Sequence, residues 1–165
     1  PLDDPAALHA ANPLGKVPAL VREGASALVD SPVICEFIDA IEDPRFIPET
    51  GEDRWRVKRL EAIADGIMDL TVGRRIERTR DQALVWDFWP DRWRAGIERS
   101  LDVLEAEAET LRGIHLGAIA VAVAMGYLDF RDPKIDWRSR APTVREHVLP
   151  WFGRDSFRRT EPPQG

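Results

Sequence analysis

Apolar positions follow two different grammars along this chain, with the change near residue 50. Before it they come in short runs between breakers. After Asn12-Pro13 and Gly15, the run Val17-Pro18-Ala19-Leu20-Val21 predicts a short strand and Glu23-Gly24-Ala25-Ser26 a turn. Ala27-Leu28-Val29 predicts a second strand, which makes the pair a β-hairpin. Asp30-Ser31-Pro32 is a helix start, with Ser31 as N-cap and Pro32 at the first helical position. The helix carries an apolar stripe at Ile34, Phe37, Ile38 and Ile41 and stops at Glu42-Asp43-Pro44. The first 13 residues are polar and irregular, apart from an Ala-rich turn at about 6–11.

Beyond the Pro- and Gly-bearing segment 44–53, apolar residues recur at helical spacing. A first long helix over about 52–80 places Leu60, Ile63, Ala64, Ile67, Met68 and Thr71 on one face. A Trp-rich joint, Trp86 to Trp93 with Pro90, leads to a second helix whose seam is Ile97, Leu101, Leu104, Ala108 and Leu111. A third, 116–128, is apolar all round, which predicts a helix buried in the middle of a bundle. A fourth covers about 143–152. His115 and Ala118, at the start of the third helix, lack the side chains of a capping box, so that helix is expected to begin uncapped. The pattern divides the chain into a small α/β domain at 1–43, a linker at 44–53 and an all-α domain at 54–165.

Composition narrows the class. With net charge -6, and with its arginines interleaved among acids along helices, the chain has no basic face for nucleic acid. No apolar run reaches the roughly 20 residues a membrane-spanning helix needs, and the single cysteine, Cys35, forms no disulfide within the chain. A cytoplasmic protein is expected. His9, His115 and His147 are scattered without ligand spacing, so no metal site is expected. Cys35 reads as a small packed residue, and Tyr127 as core rather than catalyst.

Asn12-Pro13-Leu14-Gly15-Lys16-Val17-Pro18-Ala19-Leu20 followed by Asp30-Ser31-Pro32-Val33-Ile34 resembles the second half, ββα, of the thioredoxin-like domain of glutathione S-transferases. Ala64-Asp65-Gly66-Ile67-Met68-Asp69, Gly126-Tyr127-Leu128-Asp129-Phe130-Arg131 and the stretch from Trp151 to Thr160 resemble the helical domain of bacterial members. The resemblance implies the fold: an α/β thioredoxin-like remnant, the ββα half, followed by an all-α helical bundle. It also implies the βαβ half ahead of Pro1, where the family keeps the Ser, Cys or Tyr that stabilises the glutathione thiolate. No catalytic residue is therefore expected within the chain.

For binding, the resemblance implies a cis Val17–Pro18 bond that leaves the Val17 backbone facing outward to pair with the cysteinyl part of glutathione, like an added strand. Ser31, at a helix N-terminus that attracts anions, would take the γ-glutamyl carboxylate, or act only as an N-cap. Asp30 would accept from the ligand's ammonium, Lys16 would assist the glycyl carboxylate, and Asp65 would reach a partner subunit's glutathione. The implied activity is conjugation of glutathione, as co-substrate, to a small hydrophobic electrophile lying against the long helix and the Trp-rich joint. This is a detoxifying reaction of a homodimer. The alternative is a non-enzymatic binding or dimerisation module of the same fold.

Overall fold

The computed structural model describes residues 5–41 and 43–162. The chain forms two compact units, Pro1–Pro48 and Glu49–Gly165.

In the first unit, a short helix α1 (Ala6–Ala11) precedes strands β1 (Leu20–Arg22) and β2 (Ala25–Leu28) and helix α2 (Ser31–Asp39). The strands pair antiparallel, Leu20 opposite Leu28 and Arg22 opposite Ala25. The hairpin lies within one to three residues of its sequence-based limits, and the Ala-rich turn is a full α-helix. Gly24, at φ 66°, occupies the left-handed conformation the tight turn requires. Arg22 ties the hairpin to α2. Its guanidinium donates to the Ser26 carbonyl at 2.8 Å and lies 5.0 Å from the centre of the Phe37 ring. Of the stripe expected on α2 only Ile34 is buried, while Ile38 and Ile41 are exposed, because a two-stranded hairpin covers only one side of the helix. The helix stops at Asp39 and not at Glu42, which lies outside the described residues. There the Asp39 carboxylate accepts from the backbone N–H groups of Phe46 (2.6 Å) and Ile47 (3.2 Å), turning the chain away.

The second unit is all helical: α3 (Gly51–Arg78), α4 (Phe88–Ala106), α5 (Leu116–Arg131), α6 (Trp137–Arg140), α7 (Pro142–Phe152) and α8 (Asp155–Arg158). The long helix α3 begins at Gly51, inside the 44–53 segment. Two expectations are corrected. The seam of the second helix does not run on to Leu111, because α4 ends at Ala106 and a separate 3-10 turn, Ala108–Leu111, carries Ala108 and Leu111 into the core. Most of the Trp-rich joint is helical too: Trp89, Pro90 and Trp93 lie in the first turns of α4, where proline's missing N–H costs nothing. The core joins Leu60, Ala64 and Ile67 of α3, Ile97, Leu101 and Leu104 of α4, the inner face of α5, and Trp137, Val144 and Val148.

Helix α5 packs mainly on α3, and the approach is close. A Cβ added at Gly117 would lie 2.9 Å from both Leu60 Cβ and the Val57 carbonyl oxygen. The third helix is not buried on all sides, however, since Val123 and Phe130 are exposed. The neighbouring helices cover only part of its circumference, and composition alone carries no record of that.

Carboxylates far away in sequence complete the helix ends. Glu105 on α4 accepts from the Thr143 N–H (3.0 Å), the Thr143 hydroxyl (2.6 Å) and the Val144 N–H (3.1 Å), so it caps α7 from another helix. Burial alone would raise the Glu105 pKa, but these hydrogen bonds outweigh it and hold the carboxyl below its usual range. Glu105→Ala is expected to cost about 1 kcal/mol, as for other lost caps, and to lower the melting temperature by about 3 °C in a circular-dichroism melt.

Candidate functional site

The pairing of Leu20 with Leu28 puts the entrance of β1 and the exit of β2 at the same, open end of the hairpin. Lys16-Val17-Pro18 leads into that end, and Asp30-Ser31 leaves it as the start of α2. Register therefore brings together five of the six candidates, which sequence order holds a dozen residues apart. Asp65 belongs to the other unit, half-buried on α3.

Four of the five present unused hydrogen-bonding capacity or charge, and Pro18 sets the conformation of one of them. The Val17–Pro18 bond is cis, and Val17 is 66% exposed. Among the described residues the Val17 N–H and C=O have no hydrogen-bond partner. Lys16 and Asp30 are exposed and Ser31 is half-buried. The cap of α2 differs from expectation. Asp30, not Ser31, is the N-cap residue, and no side chain caps the helix. The Asp30 carbonyl accepts the first helical hydrogen bond, from the Ile34 N–H at 3.0 Å, while Ser31 and Pro32 form the first turn. The first-turn N–H groups, with the positive end of the helix dipole behind them, can take an anion. The Ser31 hydroxyl does not cap the helix.

Sequence reasoning missed the residue that shapes the other half of this site. Asn12, read only as a breaker, is 1% exposed. Its Nδ2 donates to the Lys16 carbonyl at 2.7 Å and its Oδ1 accepts from the Leu14 N–H at 3.0 Å. Asn12 thus closes the 12–16 loop on itself and consumes the last carbonyl before Val17. Gly15, at φ 62°, makes the turn within that loop. The available signal was the Asn-Pro pair with a glycine three residues after the asparagine, which fits an Asx-stabilised turn. Asn12→Ala removes both bonds, and a buried unmade bond costs about 1–3 kcal/mol. The variant is expected to weaken whatever ligand Val17 holds several-fold in calorimetric titration, with the melting of the helical unit unchanged.

Other candidates sit elsewhere. Cys35 is half-buried on α2. Tyr127 is half-buried rather than core, and with Gly126, Phe130, Phe152 and Phe157 it lines an open pocket of about 630 Å³ in the helical unit. At the α3–α4 joint Trp86, Phe88, Trp89 and Trp93 form a chain of ring contacts, with centroids 5.1, 5.2 and 5.9 Å apart, and Trp86 and Phe88 are largely exposed. No group of three or more His, Cys, Asp or Glu able to hold a metal occurs among the described residues. None of the described helices is long and apolar enough to cross a membrane.

The chain resembles known proteins in sequence and fold. Residues 1–41 match the N-terminal domain of glutathione S-transferases. The uncharacterized GST-like protein YibF of Escherichia coli K12 is 41% identical over 158 residues, covering 93% of this chain and 78% of YibF. A glutathione transferase family member from Pseudomonas fluorescens Pf-5, solved with bound glutathione, superposes with a TM-score of 0.94 at 42% identity, over 99% of this chain and 82% of its own. A glutathione S-transferase from Methylobacillus flagellatus KT with GSH bound gives a TM-score of 0.92 at 30% identity, over 99% and 84% of the two chains. With relatives this similar over nearly the whole sequence, the chain belongs to the glutathione S-transferase family.

Proposed function

We propose that this chain grips glutathione at the open end of the hairpin and takes part in its conjugation to a small hydrophobic electrophile. The observation that carries the reading is the hairpin register, which sets the unpaired Val17 backbone beside the uncapped start of α2. The glutathione structures of the two relatives described above support it.

In this reading the gripping domain is residues 1–43, joined through 44–53 to the helical domain 54–165. The Val17 N–H and C=O pair with the cysteinyl backbone as a strand would. The Ser31 hydroxyl and first-turn N–H groups of α2 take the γ-glutamyl carboxylate, Asp30 accepts from its ammonium, and Lys16 faces the glycyl carboxylate. Glutathione supplies the thiolate nucleophile. The exposed aromatic residues at the α3–α4 joint, Trp86 and Phe88, and the long helix α3 receive the apolar part of the electrophile. Asp65 serves a partner subunit's glutathione in a homodimer.

By resemblance, the Ser, Cys or Tyr that stabilises the thiolate belongs to the βαβ half of the glutathione-binding domain and not to these gripping groups. Binding and thiol activation are therefore separable. The test follows the thiol of bound glutathione by thiolate ultraviolet absorbance across pH. The 165-residue chain should bind glutathione while leaving its thiol near the ordinary value of about 8.5. A thiol pKa lowered by two units or more on binding would contradict this division of labour.

A further inference from the structure

The start of the central helix α5 is held by a histidine in one particular protonation state. The Ala118 N–H donates to His115 Nδ1 at 3.2 Å, so Nδ1 must carry a lone pair. His115 Nε2 lies 2.9 Å from the Thr110 carbonyl, which can only accept, so Nε2 must carry the proton. The two contacts together admit only the neutral Nε2–H imidazole. They correct the expectation of an uncapped helix, since the ring does what the Ser or Thr of a capping box would do and also ties α5 to the 3-10 turn before it.

We infer that His115 is a pH-gated cap: protonation at Nδ1 removes the acceptor for Ala118 and releases the start of α5, so the helical unit loosens from its centre on mild acidification. The effect is not confined to fraying at one helix end. Gly117, two residues past the cap, sits so close to α3 that no Cβ fits between it and Leu60 and the Val57 carbonyl. A start of α5 that moves must therefore disturb the α3–α5 contact, the heart of the core.

The surrounding charges favour the neutral ring. Burial of the imidazole lowers its pKa most; the Thr110 carbonyl opposes this, and the Arg56 cation on α3 adds to it, leaving the ring below its ordinary value of 6.5. Arg56 is paired with Asp53 at 2.8 Å, and Arg59, also on α3, with Glu107. On the 3-10 turn Glu109 pairs with Arg112 at 2.6 Å. From α7, His147 approaches Glu109 at 3.7 Å. None of these acids meets the His115 ring in a hydrogen bond. The folded value lies below the unfolded one. The stabilisation is therefore complete above about pH 6.5 and is lost as pH falls through the folded value.

Two measurements test the proposal. His115→Ser supplies a cap that does not titrate and leaves His9 and His147 in place, so their contributions cancel in the comparison. The difference in melting temperature, native minus H115S, should fall by about 3 °C between pH 7.5 and pH 5. A difference that stays constant or grows would overturn the proposal. H115S also loses the Thr110 bond, so the native protein provides the second readout. Its imidazole 15N shifts should show an unprotonated Nδ1 at pH 7.5, a titration midpoint below 6.5 and a simultaneous shift of the Ala118 amide. An Nδ1–H tautomer, a midpoint at or above 6.5, or an Ala118 amide indifferent to the titration would overturn it.

Discussion

Asp132→Asn is expected to destabilise the helical unit by about 3 kcal/mol, lowering its melting temperature by roughly 6–12 °C. Asp132 ends α5 and is completely buried. It accepts from Arg74 Nε at 2.7 Å and from Arg78 Nη2 at 2.7 and 2.8 Å. Arg74, almost as buried, also donates to the Pro90 carbonyl in the first turn of α4. One carboxylate thus ties together the C-terminal half of α3, the start of α4 and the end of α5. Its removal strands the Arg74 cation in the core, while the more exposed Arg78 can turn to water. The large cost lies in that orphaned charge rather than in the pair itself. A double variant that also replaces Arg74 by Met should recover much of the loss.

The acid dependence has a definite sign. Burial would raise the Asp132 pKa, but the hydrogen bonds and charges of both arginines outweigh it and hold the group below the usual carboxylate range. The folded value lies under the unfolded one, near 3.9. The native advantage over D132N is therefore complete above that pH and shrinks as pH falls through the folded value. Chemical denaturation at pH 7 and pH 3 measures both features. A D132N protein melting within 2 °C of native would show that the clasp is not structural.

If glutathione binds as proposed, substitutions at Asp30 and Ser31 are expected to have the second large effect, this time on binding. A hydrogen bond to a charged group contributes about 1.5–3 kcal/mol. Ser31→Ala and Asp30→Asn should therefore each weaken glutathione roughly 10- to 100-fold in calorimetric titration. The two roles separate with an analogue of glutathione that lacks the γ-glutamyl ammonium. Asp30→Asn should bind this analogue as the native protein does, while Ser31→Ala should still be impaired, because the carboxylate remains. Equal losses for both variants on both ligands would mean that the pair only shapes the start of α2.

The parts of this structure that were legible in sequence are those set by neighbours close along the chain. The stripe Leu60, Ala64, Ile67 and the seam Ile97, Leu101, Leu104 announce α3 and α4, because burial repeats every three or four residues. The hairpin followed from two short apolar runs around Glu23-Gly24. Asp30 and Ser31 stood out through the Ser-Pro helix start, although the cap itself fell one residue earlier.

What sequence hid depends on distant partners or on unusual chemistry. Arg74 and Asp132 are 58 positions apart, and nothing in either neighbourhood marks the other. Glu105 caps α7 from 38 residues away, so Pro142-Thr143 carries no cap of its own for sequence reasoning to find. His115 falls outside the Ser, Thr, Asp and Asn set that capping rules recognise. Asn12 reads as a loop residue until its burial makes both of its amide bonds obligatory. The exposed side of α5 was invisible because an apolar helix does not report where its neighbours stop.

The central claim is that the hairpin's open end holds glutathione. Titrating glutathione into the 15N-labelled chain and following its backbone amides tests this most directly. The account predicts saturable shifts concentrated at Lys16, Val17, Ser31 and Val33, with one common dissociation constant. No saturable change at those amides, or changes confined to α3 through α8, would contradict it.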